Sequence, residues 1–205
     1  MLKKTTTNML VFFVGIGMIL ACAAATDTII WKDKEYKDGV INSVLIIGVT
    51  ENKENRSLFE NALSEAFKSE GVTAYASVNV FPPDQKLTKD TIKQKALDLG
   101  VKAVILTHLV SVTEEDVYHP AAPATTRNTY RTSMGHYYTH VNVIDYPGYY
   151  KKHKLVRLKT NLYDTASEKL IFSISSKTMN PKSVKDLIQS VCKTFIKDLK
   201  KNDLL

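Results

Sequence analysis

Cysteine is scarce in this chain. Its 205 residues include only Cys22 and Cys192, which excludes the framework of structural disulfides that many small secreted domains need. Cys192 lies in KDLIQSVCKTFIKDL, near the edge of an apolar stripe at helical spacing. Because a reactive thiol needs exposure and a nearby base, we expect Cys192 to be a small core residue.

Sequence motifs for several common enzyme chemistries are also missing. The chain has no G-x-S-x-G nucleophile elbow, no H-E-x-x-H zinc motif and no phosphate-binding loop. Its one acidic cluster, Glu114-Glu115-Asp116, follows a strand-like run, where we expect a solvated loop. With no pattern of nucleophile, base and acid, the sequence favours a protein that is not an enzyme and uses no cofactor.

Long apolar runs are absent except near the N-terminus. Residues 9–21 are apolar and follow two lysines and a polar spacer, which is the layout of an export signal. About 13 residues are too few to span ~30 Å of hydrocarbon, which takes about 20. The pattern therefore predicts a cleaved signal peptide over residues 1–21.

The end of this run resembles a bacterial lipobox. In Ile19-Leu20-Ala21-Cys22, the cysteine would be diacylated with chains such as palmitate and would become the first residue of the mature protein. An ordinary signal peptidase site near Ala23 to Ala25 is the alternative, and it would discard Cys22. We expect Cys22 to be the lipidation site, followed by a tether through residue 42.

The predicted anchor decides which partners are plausible. Acyl chains contribute about 0.8 kcal/mol per buried CH₂, so a lipidated protein stays on its membrane. Ala23 after the cysteine, where aspartate would favour retention at the inner membrane, favours the outer membrane with the chain facing the periplasm. Cleavage removes Lys3 and Lys4, so the formal net charge falls from +7 to +5. This positive charge meets glycans and lipid headgroups at the outer membrane, so nucleic acid is not expected as a partner.

Residues 43–112 have the pattern of alternating strands and helices. A continuous apolar run is typical of a parallel strand covered on both faces, and helical spacing follows it. The order predicts strands joined by right-handed crossovers in one sheet. The predicted elements are strand 44–49, a helix ending at Gly71, an edge strand over 72–81, a helix from Thr88 to Leu99, and strand 103–112.

The second half of the chain has another pattern. Residues 155–163 and 170–178 alternate with period two and predict an antiparallel hairpin. Asn180-Pro181 is a suitable cap and first-turn pair for a C-terminal helix. We expect a single α/β domain over 43–205, with a mixed sheet built as β-α-β-α-β, then the hairpin and the helix. A long tyrosine-rich insertion over 113–153 interrupts it.

Several segments in order resemble a group of uncharacterised bacterial envelope lipoproteins of a domain-of-unknown-function type. They are Trp31-Lys-Asp33 with Tyr36, VLIIGVTENKENRSLFENALSEAFKSEGV, LGVKAVILTHLV, NLYDTASEKLIFS and the closing helix. In plan, the chain is also similar to small α/β periplasmic domains such as the TolB amino-terminal domain and LpoB. The resemblance implies an α/β fold and an envelope location, and it supplies no catalytic residue.

The insertion concentrates aromatic and basic side chains. Rings that carry hydroxyls, beside positive charges, suit partner proteins, glycans and the headgroup zone of a membrane alike. The alternative is a purely structural lipoprotein, in which the tyrosines pack on one another as a flap over a sheet edge. The residues predicted to contact an envelope protein or peptidoglycan are Tyr130, Tyr137, Tyr138, Tyr146, Tyr149, Tyr150, Arg131 and Lys152.

All five histidines fall between positions 108 and 153. His136 and His140 lie among residues that favour a strand, where positions four apart are ~13 Å apart, too far to share one zinc ion. We therefore expect no metal site, and we expect His108 to be a hydrogen-bonded core or sheet-end histidine. A metal-dependent or hydrolytic envelope enzyme remains the alternative, and its ligands would come across a hairpin from His119, His136, His140 and His153.

Overall fold

The computed structural model describes residues 26–37, 39–83 and 85–205. The predicted signal peptide and the lipidation site Cys22 lie outside these described residues. Among the residues described, no helix is both long and apolar enough to cross a membrane. The elements are β1 Thr26–Lys32, β2 Ser43–Val49, α1 Lys53–Ser69, β3 Thr73–Ala76, α2 Ser77–Val80, α3 Lys89–Asp98, β4 Ala103–His119, β5 Ala122–Arg131, β6 Tyr137–Tyr146, β7 Tyr149–Asp164, β8 Leu170–Met179 and α4 Val184–Lys201.

Six of the strands form one mixed sheet in the order β1-β8-β7-β4-β2-β3. Strand β2 runs parallel to both β3 and β4, whereas β4, β7, β8 and β1 are successively antiparallel. The remaining strands, β5 and β6, make a separate antiparallel pair. The predicted fold class, an α/β domain with a mixed sheet and a C-terminal helix, is confirmed.

Helices cover both faces of the sheet. On one face, Phe195 of α4 packs against Phe67 of α1 and Phe172 of β8, with ring centroids 6.2 Å and 6.3 Å away. On the other face, Ala96 of α3 packs with Leu45 and other apolar side chains. Both faces of β2 are therefore buried, which explains its continuous apolar run.

The last helix begins later than predicted. The sequence pattern places its cap at Asn180, but the Ser183 hydroxyl accepts the backbone N–H of Asp186 and α4 begins at Val184. The Asn180 side chain instead accepts the backbone N–H of Lys154 at 2.8 Å. The prediction of the cap was wrong because Asn180 is used in a contact between β7 and the residues that follow β8.

Two further predictions require correction. The edge strand predicted over 72–81 ends at Ala76 and continues as the short helix α2. The tether was predicted over residues 22–42, but residues 26–32 of this range form strand β1, which pairs with the edge of β8. Alternate threonines hold this strand against α4: the Thr28 hydroxyl donates to Asp198 Oδ2 at 2.9 Å.

Cys192 lies in the core, as predicted, with 4% of its surface exposed. Burial raises the pKa of its thiol to about 12, so almost none of it is the reactive thiolate at mildly alkaline pH. We expect iodoacetamide to leave Cys192 unmodified in the folded protein and to alkylate it once guanidinium chloride unfolds the chain. Mass spectrometry of the peptide that contains Cys192 measures both states. A Cys192 that reacts as quickly as an engineered, exposed Ala166→Cys would contradict this prediction.

Candidate functional site: a tyrosine-rich β arm

The predicted insertion, residues 113–153, forms most of a long two-stranded arm, defined here as residues 113–155. Its base, which we call the stalk, is the outer part of β4 paired with the start of β7, from Thr113 opposite Leu155 to His119 opposite Tyr149. Its outer part, which we call the ribbon, is the pair β5 and β6. At the tip, the Thr132 N–H donates to the His136 carbonyl at 2.8 Å.

In the stalk, acidic residues of β4 lie opposite lysines of β7. Glu114 lies opposite Lys154, and Asp116 lies opposite Lys152. The acidic cluster is thus part of a strand, and the prediction of a solvated loop was wrong because opposite charges on β7 support the pairing. Lys152, a predicted partner-binding residue, faces Asp116 in the same ladder.

On the other face of the stalk, Arg157 fixes Glu115. Its guanidinium donates to Glu115 Oε1 at 2.8 Å and to the Thr113 hydroxyl at 2.9 Å. The hydrogen bond from Arg157 is the main cause of a lowered pKa for the Glu115 carboxyl. Beyond Glu115, the pairing of the two strands continues to His119 opposite Tyr149, where the arm breaks.

The break between stalk and ribbon occurs on both strands at the same level. Residues Pro120-Ala121 interrupt one strand and Pro147-Gly148 interrupt the other. Proline has no N–H to donate to a ladder, so pairing stops there. A Cβ at Gly148 would lie 2.2 Å from the Tyr118 hydroxyl, so a larger residue there would displace the exposed Tyr118 ring.

The ribbon has two chemically different faces, because side chains alternate along each strand. One carries no Asp, Glu, Lys or Arg, and we call it the uncharged face: Ala122, Ala124, Thr126, Asn128, Tyr130, Tyr138, His140, Asn142, Ile144 and Tyr146. The other carries both arginines of the ribbon, and we call it the arginine face: Pro123, Thr125, Arg127, Thr129, Arg131, Tyr137, Thr139, Val141, Val143 and Asp145.

Ring contacts support this assignment. The rings of Tyr130 and Tyr138 stack with centroids 5.5 Å apart on the uncharged face. On the arginine face, the Arg131 guanidinium lies 5.6 Å from the Tyr137 ring centroid. Each of these contacts joins two residues that the register places on the same face.

The ribbon stands without a core of its own. Apart from the half-buried Ala124, every residue of β5 and β6 is exposed. Large side chains are included: Tyr137 is 68% exposed and Val143 is 61% exposed. An isolated two-stranded hairpin is at best marginally stable in water, and each of these strands also has one unpaired edge. The ribbon therefore has the surface and the free backbone groups that a binding partner would cover.

The eight predicted partner-binding residues do not form one patch. Tyr130, Tyr138 and Tyr146 share the uncharged face, whereas Tyr137 and Arg131 share the arginine face. On the stalk, Tyr149 stacks on His119 at 4.9 Å and Tyr150 packs on Tyr118 at 5.1 Å. Two pairs of tyrosine rings, Tyr130 with Tyr138 and Tyr118 with Tyr150, therefore pack on one another, whereas Tyr149 stacks on a histidine.

The four histidines of the alternative hypothesis divide into two groups. His119 and His153 come together on the stalk, with ring centroids 5.9 Å apart, and the Nε2 atoms of both rings are buried without a hydrogen-bond partner. His140 lies on the ribbon and His136 at its tip. Across the described ranges, no three His, Cys, Asp or Glu side chains lie close enough to hold a metal ion.

A groove that the sequence did not indicate opens where the pairing between the parallel strands β2 and β4 ends. It has a volume of about 470 Å³, and its lining includes exposed Val49, Leu109 and Val112 beside His108 and Arg56. His108 lies opposite Val49 at the last pair between β2 and β4, and β4 continues past it to His119 in its pairing with β7. The titratable side chains of this lining are basic, so the groove lacks an acid to pair with the histidine.

No family model matches this chain, and no curated protein matches it. Among solved structures, a PelC dodecamer variant from Paraburkholderia phytofirmans aligns with 8% identity, over 83% of this chain and 94% of that one, at a TM-score of 0.45. Lipoprotein GNA1162 from Neisseria meningitidis aligns with 12% identity, over 78% and 98%, at a TM-score of 0.39. At these scores, neither similarity supports an inference about function.

Proposed function

We propose that this chain is a non-catalytic lipoprotein of the outer membrane, anchored through Cys22 and facing the periplasm, that binds or scaffolds an envelope protein or peptidoglycan with its arm. The observation that carries the proposal is the ribbon, which exposes aromatic and aliphatic side chains on a hairpin with no core. A partner that covered it would supply the burial that the ribbon lacks.

The arginine face is the surface we assign to this partner. Arg127 and Arg131 project from alternate positions of β5, and the cross-strand partner of Arg131 is Tyr137. Arginine and tyrosine dominate the binding energy of many interfaces, and an arginine fork pairs with carboxylates of a protein or of a peptidoglycan peptide. The stalk lysines suit this role less, since Lys152 and Lys154 have acidic neighbours within the arm.

A double variant tests this assignment. We expect Arg127→Ala with Arg131→Ala to reduce retention of the envelope partner by roughly tenfold or more, the loss typical of interface arginines. The measurement is capture from detergent-solubilised envelope, with binding to isolated sacculi alongside. The thermal transition should not move, because both side chains are exposed on the ribbon.

The matched control removes the same number of positive charges from the stalk. Lys152→Ala with Lys154→Ala should retain the partner, because these lysines lie opposite acidic residues. Equal losses in both double variants would show that overall charge, and not the arginine face, holds the partner. Unchanged retention in the arginine variant would refute the assignment.

A further inference from the structure

The arm and the predicted anchor lie at the same end of the sheet. Thr26, the first described residue, is opposite Thr178 of β8, and Thr178 is opposite Val156 of β7. Val156 is in turn opposite Val112, directly below the stalk. The chain segment that leads back to Cys22 therefore starts level with the base of the arm.

The connection to Cys22 is shorter than the arm. Four residue steps separate Cys22 from Thr26, and a fully extended chain covers at most about 14 Å over that distance. The stalk rises about 20 Å beyond the level of Thr26, and the ribbon adds about 30 Å, at the rise of an antiparallel strand. An acylated Cys22 thus holds the base of the arm closer to the bilayer than the arm is long.

The uncharged face has the composition that a bilayer surface accepts. It presents Tyr130, Tyr138 and Tyr146 with Ile144, and none of its ten residues is Asp, Glu, Lys or Arg. Tyrosine is enriched where membranes meet water, because its ring is apolar and its hydroxyl remains hydrated. A ribbon that lies flat at this level also keeps its unpaired backbone edges in contact with water and headgroups.

We infer that the ribbon lies on the membrane that holds the anchor, with its uncharged face against the lipid headgroups and its arginine face directed towards the periplasm. This inference rests on the proposed lipidation of Cys22. The paired breaks at Pro120-Ala121 and Pro147-Gly148 supply the place where the arm turns from the domain onto the surface. In this orientation the uncharged face contacts the bilayer, and the arginine face remains accessible to the envelope partner.

Fluorescent labels on the lipidated full chain test this orientation. Single cysteines are introduced at Asn142 on the uncharged face, at Thr139 on the arginine face, and at Ala166 in the turn at the far end of β7 and β8. Burial of Cys192 and acylation of Cys22 leave only the introduced thiol to react. Each protein carries an environment-sensitive dye and is reconstituted into vesicles of phosphatidylethanolamine and phosphatidylglycerol, with and without lipids that bear a headgroup-level quencher.

We expect the label at Asn142→Cys to shift its emission to shorter wavelength in vesicles and to be strongly quenched. The label at Thr139→Cys should be quenched less, and the label at Ala166→Cys should not respond. A lipidated protein whose Asn142→Cys label is not quenched, or is quenched no more than the Thr139→Cys label, overturns the inference. Cross-linking of the uncharged face to a protein would also overturn the inference.

The mass of the N-terminal peptide separates this inference from the proposed function. A Cys22 without acyl chains refutes the proposed anchor. In that case each labelled protein also carries Cys22→Ser, so that only the introduced thiol reacts. Strong quenching at Asn142→Cys would still support contact between the uncharged face and lipid, and its absence would refute that contact too. Ile144→Ser with Tyr138→Ser should abolish the quenching, whereas Val143→Ser with Tyr137→Ser, the matched pair on the arginine face, should preserve it.

Discussion

Replacing Glu60 with leucine is expected to lower the free energy of unfolding by about 3–5 kcal/mol, the usual cost of removing one partner from a buried charged network. Glu60 lies in α1, and its side chain is fully buried. For a domain with an ordinary stability of roughly 5–15 kcal/mol, this loss is a large part of the total.

The expected size of the effect follows from the groups that Glu60 satisfies. Its carboxylate accepts the backbone N–H of Gly48 at the end of β2 and the backbone N–H of Val78 in α2, each at 2.8 Å. It also accepts hydrogen bonds from the Ser77 hydroxyl and from Arg56 Nε, with donor–acceptor distances of 2.7 Å and 2.9 Å. Leucine accepts none of these hydrogen bonds, so four donors lose their partner at the junction of β2, α1 and α2.

Urea unfolding followed by circular dichroism measures this prediction. Glu65→Leu is the matched control, because Glu65 lies on the same helix, is exposed, and pairs with exposed Lys68 at 3.1 Å. Surface changes of that kind usually alter stability by no more than about 0.5 kcal/mol. If the two variants unfold at the same urea concentration, the Glu60 network does not hold these elements together.

The fold class could be predicted from the sequence, but the hydrogen-bond network of Glu60 could not. The apolar run of β2 and the helical spacing of α1 are local patterns, so the fold class could be predicted from them. Glu60 lies between the apolar residues Phe59 and Leu63, but its partner Ser77 is distant in sequence. A glutamate beside an apolar stripe indicates a buried carboxylate only once the donors that surround it are known.

The length of the arm strands could not be predicted from the sequence either. The sequence indicated a strand to residue 112, since the apolar residues end there, and Glu114-Glu115-Asp116 has the composition of a loop. Strand β4 continues to His119 because acidic residues alternate against lysines of β7, which follow more than thirty residues later. The tyrosines were correctly placed in the insertion, but their division between two faces depends on the register of β5 and β6.

Replacing residues 120–148 with Asn-Gly is expected to abolish partner retention while the domain stays folded. His119 and Tyr149 are directly opposite each other, and Asn-Gly is the preferred two-residue connection of an antiparallel hairpin. The deletion removes the whole ribbon, including Arg127 and five of the eight predicted partner-binding residues, namely Tyr130, Arg131, Tyr137, Tyr138 and Tyr146. It leaves the stalk and every element that contributes to the core.

The thermal transition of this deletion variant should match that of the parent, because the ribbon contributes no residue to either apolar cluster. The measurement combines a melting curve with capture from solubilised envelope. A variant with an unchanged transition and no captured partner places binding in the ribbon. A much lower transition would instead mean that the ribbon stabilises the domain, which is the result the purely structural alternative requires. Full retention of the partner would assign binding to the domain surface, where the groove beside His108 is the next surface to test.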